Sequence, residues 1–251
     1  MKQIIIIIFC FVSSFKIFAQ TPTKQVNVQY QSWWSINTTA RFTKKWGMMF
    51  DLHERRNDFM KNASFHFVRV GATYWLKDNL SLSAGYGHLW LAPTKAGWKT
   101  FSNENRLFQQ LQLTTPINKI QFLQRLRNEQ RWTEIMVNDK PSGQIRFTNR
   151  VRYLASLTIP IFKSKQMPAF VIADELLVHF GKEVVYNTFE QNRVFIGLRQ
   201  KLTKALSFDM GYMLVSQQKF TGYQYDRNHT FRLFFYYAPD FRHSTVVKKK
   251  M

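Results

Sequence analysis

Charged residues alternate in one short stretch of the chain, residues 121–132. Four of them lie two residues apart: Arg125, Arg127, Glu129 and Arg131. A β-strand would point all four side chains the same way. Guanidinium groups bind carboxylates and phosphates through paired hydrogen bonds, and buried charges need partners or water. The chemistry that this spacing predicts is therefore ion pairing or anion binding.

The same stretch is also compatible with an amphipathic helix. Ile120, Leu123 and Leu126 would then form an apolar stripe, and Arg125 with Glu129 would form an i, i+4 ion pair. In a strand, the apolar residues would instead gather mainly on the face opposite the charges, interrupted by amides. A strand that is charged on one face and mainly apolar on the other suits a membrane barrel. This stretch alone does not decide between the two.

Catalytic chemistry has less support in the sequence. A barrel that hydrolyses lipids needs a serine or aspartate beside a positioned histidine, whereas the histidines here lie in separate segments. The places to look for such a pair are His66 near Ser64 and His88 near Tyr86. The sequence has no G-x-S-x-G or H-E-x-x-H motif and no histidine pair with metal-ligand spacing in one segment. We therefore predict no enzyme activity, catalytic residue, metal site or cofactor.

Composition narrows the class of protein. The chain has 251 residues and a formal net charge of +21, and its mean hydropathy of -0.31 excludes a helical membrane bundle. Such a charge can indicate nucleic-acid binding, but the arginines are spread through alternating segments rather than gathered on one helix. We therefore predict no nucleic-acid partner. The single cysteine, Cys10, excludes a disulfide framework and a thiolate metal site.

Residues 1–19 have the pattern of a secretory signal peptide. Lys2 precedes the apolar run Ile4–Val12, which is far shorter than the roughly 18–20 residues that a spanning helix needs. We place the cleavage site after Ala19. No long apolar run follows, so the sequence predicts a protein that is exported without a helical anchor.

Eleven later segments alternate between apolar and polar residues with period two. In one of them Leu206, Phe208 and Met210 alternate with Ser207 and Asp209. Repeated segments of about ten such residues are typical of outer-membrane barrels. The connections between them alternate between short ones and longer, more polar ones, such as the connection near residues 133–143, which fits periplasmic turns and outer loops.

The strand count follows from a rule about known barrels. Single-chain bacterial barrels usually have an even number of strands, so we predict twelve, with residues 21–31 as the twelfth strand, and ten as the alternative. The predicted fold is all-β, an antiparallel transmembrane β-barrel over residues 20–241. A basic C-terminal tail, residues 242–251, follows it.

The interior of this barrel is predicted to be strongly basic. Thirteen arginines point inward on this face assignment: Arg41, Arg55, Arg69, Arg106, Arg125, Arg127, Arg131, Arg146, Arg150, Arg152, Arg193, Arg199 and Arg232. Five carboxylates oppose them: Asp51, Glu104, Glu129, Glu175 and Asp209. The candidate charge network comprises Arg106, Arg125, Arg127, Glu129, Arg131, Arg150, Arg152, Glu175 and Arg193. We expect Glu129 to be its hub and Glu175 to be a cross-barrel partner. The excess of arginine indicates either an anion-binding interior or a wet ladder of ion pairs that only fills the barrel.

Several short motifs resemble a family of exported bacterial proteins of about this length. They are Trp33–Trp34, Arg125–Trp132, Asp174–Glu175, Gln191–Arg193 and Tyr236–Phe241. The likeness covers roughly residues 29–240, and the Arg-x-Arg-x-Glu-x-Arg stretch is its most specific part. That family is catalogued as a domain of unknown function and is expected to form an outer-membrane β-barrel. The resemblance therefore implies fold and location, but no activity or ligand.

These observations together predict a non-enzymatic outer-membrane β-barrel of unknown specific activity. Its Arg-rich interior is either structural or a narrow path or binding site for anions. One alternative is a membrane-embedded lipid-modifying hydrolase, and another is a secreted β-sandwich that binds acidic glycans. The expected partners are outer-membrane lipid and lipopolysaccharide, small anions, and the barrel-assembly machinery during biogenesis.

Overall fold

A computed structural model describes residues 23–164 and 167–242 of the chain. Eleven β-strands close into one barrel there. The strands are β1 (Gln25–Arg41), β2 (Trp46–Asn57), β3 (Asn62–Lys77), β4 (Leu80–Leu91), β5 (Ser102–Ile117), β6 (Ile120–Val137), β7 (Lys140–Pro160), β8 (Ala169–Phe180), β9 (Phe189–Lys201), β10 (Leu206–Gln218) and β11 (Gln224–Tyr237). The described residues contain no helix with the length and hydropathy needed to cross a bilayer. The predicted signal peptide, and all but the first residue of the predicted tail, lie outside the described residues.

The barrel closes through a parallel pair of strands. β1 pairs with β11 from Gln25 opposite Gln224 to Thr38 opposite Tyr237, and the other neighbouring strands are antiparallel. The prediction of twelve strands, with ten as the alternative, is therefore wrong. The described part of residues 21–31 forms no separate strand, because β1 runs without a turn from Gln25 to Arg41.

The prediction of a wholly antiparallel barrel is also wrong, and for a related reason. Strands that alternate in direction give the first and the last the same direction when their number is odd. β1 and β11 can then close the barrel only as a parallel pair. Parallel ladders have evenly spaced, slanted hydrogen bonds, so this closure supplies backbone partners for both edge strands.

The two ends of the barrel differ. At the turn end, strands are joined by residues 42–45, 78–79, 118–119, 161–168 and 202–205. At the loop end they are joined by residues 58–61, 92–101, 138–139, 181–188 and 219–223. The long connection expected near residues 133–143 is instead the two-residue turn Asn138–Asp139, where both residues have positive φ, as tight hairpins require. β6 and β7 therefore extend further than the sequence indicated.

A band of apolar side chains encircles the outer face of the barrel. Exposed members lie on each of the first ten strands: Ile36, Leu52, Val70, Leu82, Leu111, Leu126, Tyr153, Ile172, Ile196 and Met210. Soluble monomers rarely expose contiguous apolar surface of this extent. The band follows from the period-two pattern, since every second side chain of a strand points outward.

Two glycine pairs make room for aromatic rings inside the barrel. Gly71 lies directly opposite Gly85, and Gly197 lies opposite Gly211. A Cβ atom at Gly71 would come within 2.8 Å of the Phe108 ring, and one at Gly197 within 2.5 Å of the Phe195 ring. The absence of side chains at these positions therefore lets both fully buried phenylalanines pack against the inner wall. Both rings also contact arginines: the Arg127 and Arg69 guanidinium groups lie over Phe108, and that of Arg232 lies over Phe195.

Candidate functional site

The centre of the interior is organised around Glu129 on β6, which is 1% exposed. Arg150 on β7 donates to its carboxylate from Nε at 2.7 Å and also from Nη2. Arg152 donates from Nη1 at 2.9 Å, and the Nη1 atom of Arg127 lies 3.8 Å away. Cross-strand register places these arginines, because Glu129 pairs with Arg150 and Arg127 with Arg152. One buried carboxylate thus stabilises several guanidinium groups.

Glu175 on β8 continues this arrangement around the barrel wall. Arg152 donates to it at 2.8 Å from Nη2, so Arg152 joins Glu175 to the group around Glu129. Arg193 on β9 donates at 3.0 Å, and Arg125 donates at 2.8 Å from β6, two strands away. Glu175 therefore receives arginines from three strands and connects non-adjacent parts of the wall.

A third carboxylate, Glu190, was not among the candidates from the sequence. Arg131 donates to it at 2.6 Å, and Arg150 at 3.3 Å. The ladder between β8 and β9 shifts register after Leu177, and this irregularity leaves both Glu190 and Gln191 buried. Strict alternation would place Glu190 on the outer face, because the residue next to it, Gln191, faces inward. Glu190 links Arg131 to the group around Glu129.

These contacts join eight of the nine candidate residues into one connected set. The ninth, Arg106, pairs with Glu104 instead. The remaining interior pairs are Asp51 with Arg69, and Asp209 with Arg199 and Arg232. Arg41 pairs with Asp78 at the turn end, 2.7 Å apart. Every arginine of the connected set therefore has a carboxylate within 4.0 Å, but six arginines share three carboxylates, so the set keeps an excess of positive charge.

Two interior arginines differ from the rest. Within the described part of the chain, Arg55 and Arg146 have no carboxylate within 4.0 Å and no hydrogen bond to a protein group. The Arg55 guanidinium lies between two rings, 3.3 Å from the centroid of Trp33 and 4.3 Å from that of Phe65. Its Nε atom is buried without a partner. Arg146 lies 4.8 Å from the centroid of Phe220. Both therefore retain an unneutralised charge.

Both unpaired arginines line the cavity of about 1100 Å³ that occupies the interior. Toward the loop end, the residues that line it include Trp33, Arg55, Phe65, Trp98, Arg146 and Phe220, and this part of the cavity is called the loop-end chamber below. Each ring of this chamber already contacts a cation; Trp33 also contacts Arg193 at 5.1 Å, and Trp98 contacts Lys95 at 4.4 Å. The chamber therefore presents charge rather than a free aromatic surface. Its chemistry suits a small hydrophilic anion.

The connection that carries Trp98 is anchored by Asp139 in the turn between β6 and β7. The Asp139 carboxylate accepts backbone N–H groups from Thr100 at 2.8 Å and from Lys99 at 3.1 Å. These hydrogen bonds hold the pKa of Asp139 below its usual range, because they stabilise the ionised carboxylate. One wall of the chamber mouth thus depends on a partly exposed carboxylate.

Replacing Asp139 with asparagine should loosen residues 92–101. We expect the backbone amides of Lys99 and Thr100 to exchange with deuterium several-fold faster in the variant, because a charged acceptor is lost. Since the pKa of Asp139 is lowered by folding, its contribution is complete above the unfolded pKa of about 3.9 and disappears as the pH falls through the folded pKa. Asp58→Asn in the neighbouring connection is the control, and equal exchange in both variants would contradict the anchor.

The places proposed for a catalytic pair lie on the outer face near the loop end. His66 Nδ1 contacts the carboxylate of Glu54, and His88 Nδ1 lies 2.8 Å from Asn105 Oδ1. Among residues 23–164 and 167–242, no serine hydroxyl forms a hydrogen bond with either histidine. The same residues contain no group of acidic, His and Cys side chains placed to hold a metal ion. The Tyr86 hydroxyl lies 3.4 Å from His88 Nδ1 and donates to Asn105 Oδ1, so the structure brings Tyr86 and His88 together but not Ser64 and His66.

One family model matches most of the chain. It is described as a protein of unknown function, DUF2490, and it covers residues 30–236. No curated protein and no solved structure matches the chain. Any function must therefore be argued from the residues of this chain.

Proposed function

The chain belongs to the DUF2490 family of proteins of unknown function, and we propose that it is an outer-membrane β-barrel whose interior binds small anions. The observation that carries the binding proposal is the unpaired Arg55 guanidinium in the loop-end chamber. The lipid-modifying hydrolase and the acidic-glycan lectin have no comparable site among the described residues.

Two features support the membrane location. The apolar band surrounds the barrel on its outer face, where a bilayer would cover it and water would not. The strands have 12 to 21 residues, more than the roughly 9–11 that a tilted spanning strand needs. The sequence pattern of residues 1–19 adds an export signal. On this proposal, lipid and lipopolysaccharide contact the outer face, and the barrel-assembly machinery inserts the chain.

The charge distribution inside the barrel supports anion binding. A guanidinium held away from bulk water is costly unless an opposite charge accompanies it. The six arginines of the network share Glu129, Glu175 and Glu190, so each has a carboxylate partner, and we assign these arginines a structural role. Arg55 has no such partner in the described part of the chain, and a small anion in the chamber would supply the missing charge. Arg146 and Lys95 also line the cavity, nearer the loop end, and their positive charges would attract anions toward the chamber.

We expect Arg55→Gln to weaken the binding of inorganic phosphate by roughly tenfold to a hundredfold, since hydrogen bonds to charged groups contribute about 1.5–3 kcal/mol. Titration calorimetry of the detergent-solubilised barrel measures this change. Arg41→Gln is the matched control, because Arg41 pairs with Asp78 at the turn end. Equal phosphate affinity in wild type and Arg55→Gln, or no phosphate binding by the wild type, would reject the proposal.

A further inference from the structure

The apolar band is interrupted on one side by a group of amides. The amide patch consists of Gln109 on β5 with Gln124, Asn128 and Gln130 on β6. Asn128 Nδ2 donates to Gln109 Oε1 at 3.0 Å, and Gln109 Nε2 lies 3.2 Å from Gln130 Oε1. Gln124 accepts the hydroxyl of Tyr153 at 2.8 Å. Gln109, Asn128 and Gln130 are thus joined by hydrogen bonds on the outer wall, and Gln124 lies further along β6 with Tyr153 as its partner.

The patch lies within the apolar band rather than beyond its edge. Gln109 is flanked along its strand by the exposed Leu107 and Leu111, and Asn128 is flanked on one side by the exposed Leu126. On the far side of the barrel, the outer face of β1, β10 and β11 carries apolar and aromatic residues such as Ile36 and Met210 at the centre of the band. The amide patch therefore lies on the side opposite β1, and the outer wall carries a further polar pair, in which Asn192 on β9 donates to Asp174 on β8 at 2.6 Å.

Lipid hydrocarbon cannot form hydrogen bonds with the side-chain amides of the patch. Each side-chain amide has two N–H donors and a carbonyl oxygen that accepts two hydrogen bonds. The bonds within the patch use only part of this capacity. Lipid tails offer neither donors nor acceptors, so polar groups that face a bilayer tend to be covered by protein. If the barrel is in a membrane, as proposed above, this side needs a polar partner surface.

We infer that two copies of the chain pack against each other through the amide patch. A twofold interface places the same surface on both sides, and amides both donate and accept, so the patch is complementary to its own copy. It contains no charged side chain, which disfavours a charged partner. A second copy is the one occupant that necessarily carries the matching set of groups.

A groove beside the patch favours the same arrangement. Its volume is about 450 Å³. Ala72 and Ala84 line it together with the larger Leu82, Leu111 and Leu126, and it reaches Gln109 and Asn128 of the patch. Small residues let two membrane-embedded surfaces approach closely. Side chains of the second copy would fill this groove while the amides of the two copies form hydrogen bonds with each other. The same arrangement would therefore satisfy both the apolar groove and the amide patch.

Disulfide cross-linking in the membrane tests the interface. The only cysteine of the sequence is Cys10, which precedes the predicted cleavage site, so an introduced cysteine would be the single thiol of the exported chain. Mild oxidation of Asn128→Cys should give a disulfide-linked dimer on a non-reducing gel. Ile36→Cys on the opposite side should remain monomeric. Dimers from both variants, or from neither, would overturn the interface.

The mass of the detergent-solubilised protein provides a second readout. Wild type should be a dimer, whereas the combined variant Gln109→Leu, Asn128→Leu, Gln130→Leu should be a folded monomer, because leucine suits lipid. Heat-modifiable gel migration checks its folding. A wild-type monomer recovered from the outer membrane would overturn the interface alone and leave lipid as the occupant of the patch. Recovery of wild type in the soluble fraction would overturn the membrane location as well.

Discussion

Replacing Glu129 with alanine is expected to lower the free energy of unfolding by about 3–5 kcal/mol, the cost of breaking a buried ion pair from one side. The carboxylate is almost fully buried and holds Arg150 and Arg152. Its removal leaves Arg150 and Arg152 with only Glu190 and Glu175 as counter-charges, and other arginines share both of these carboxylates. Denaturant titration of the refolded barrel, followed by tryptophan fluorescence, measures the change.

The matched control is Glu54→Ala on the outer face. Glu54 also pairs with an arginine, Arg56, but both side chains are more than a quarter exposed, so the expected cost is about 0–1 kcal/mol. Adding Arg150→Met to Glu129→Ala should recover part of the loss, because it removes one of the positive charges that Glu129 balances. A loss for Glu129→Ala no larger than that for Glu54→Ala would show that water, rather than ion pairing, stabilises the interior charges.

Ile196→Arg should cost about 2–4 kcal/mol in phospholipid vesicles if the outer face lies near the centre of a bilayer. Ile196 is 47% exposed on β9 between two other apolar outer residues, Val194 and Leu198. The same substitution on a surface in contact with water usually changes stability by less than about 0.5 kcal/mol. Stability of the vesicle-inserted barrel against urea is the measurement.

Val185→Arg provides the comparison for this substitution. Val185 is 72% exposed in the loop-end connection 181–188, outside the apolar band, so arginine there should be tolerated. The difference in stability between the two variants separates the cost of placing arginine in lipid hydrocarbon from the cost of placing it at any exposed position. Equal tolerance of arginine at both positions would reject the membrane location and favour a soluble barrel.

Local patterns in the sequence were sufficient for much of the barrel wall. Alternation between neighbouring residues is a property of each strand by itself, so the eleven segments recognised in the sequence all correspond to strands, and the arginines of β6 and β7 were assigned to the interior. Strand number depends on closure, which is not local. The even-number rule added a strand that the chain does not form, because residues before Trp33 extend β1.

Only part of the candidate site could be predicted from the sequence. The inward set of arginines follows from alternation, but their pairing depends on register between strands that are far apart in the chain. The shift after Leu177 that accompanies the inward position of Glu190 left no clear signal in the sequence. The isolation of Arg55 between Trp33 and Phe65 could not be derived either, since it depends on which carboxylates fail to reach it.

Because β1 and β11 run parallel, the first and last strands place the two ends of the barrel wall's chain at opposite ends of the barrel. In an antiparallel barrel with an even number of strands, both would lie at the same end. The chain enters the wall at the loop end, before Gln25, and leaves it at the turn end, after Tyr237. If the barrel spans a bilayer, as proposed above, epitopes placed ahead of the first strand and behind the last would be accessible from opposite sides of a sealed vesicle. A doubly tagged protein would report its own orientation in the bilayer, since an antibody added outside could bind only one of the two tags.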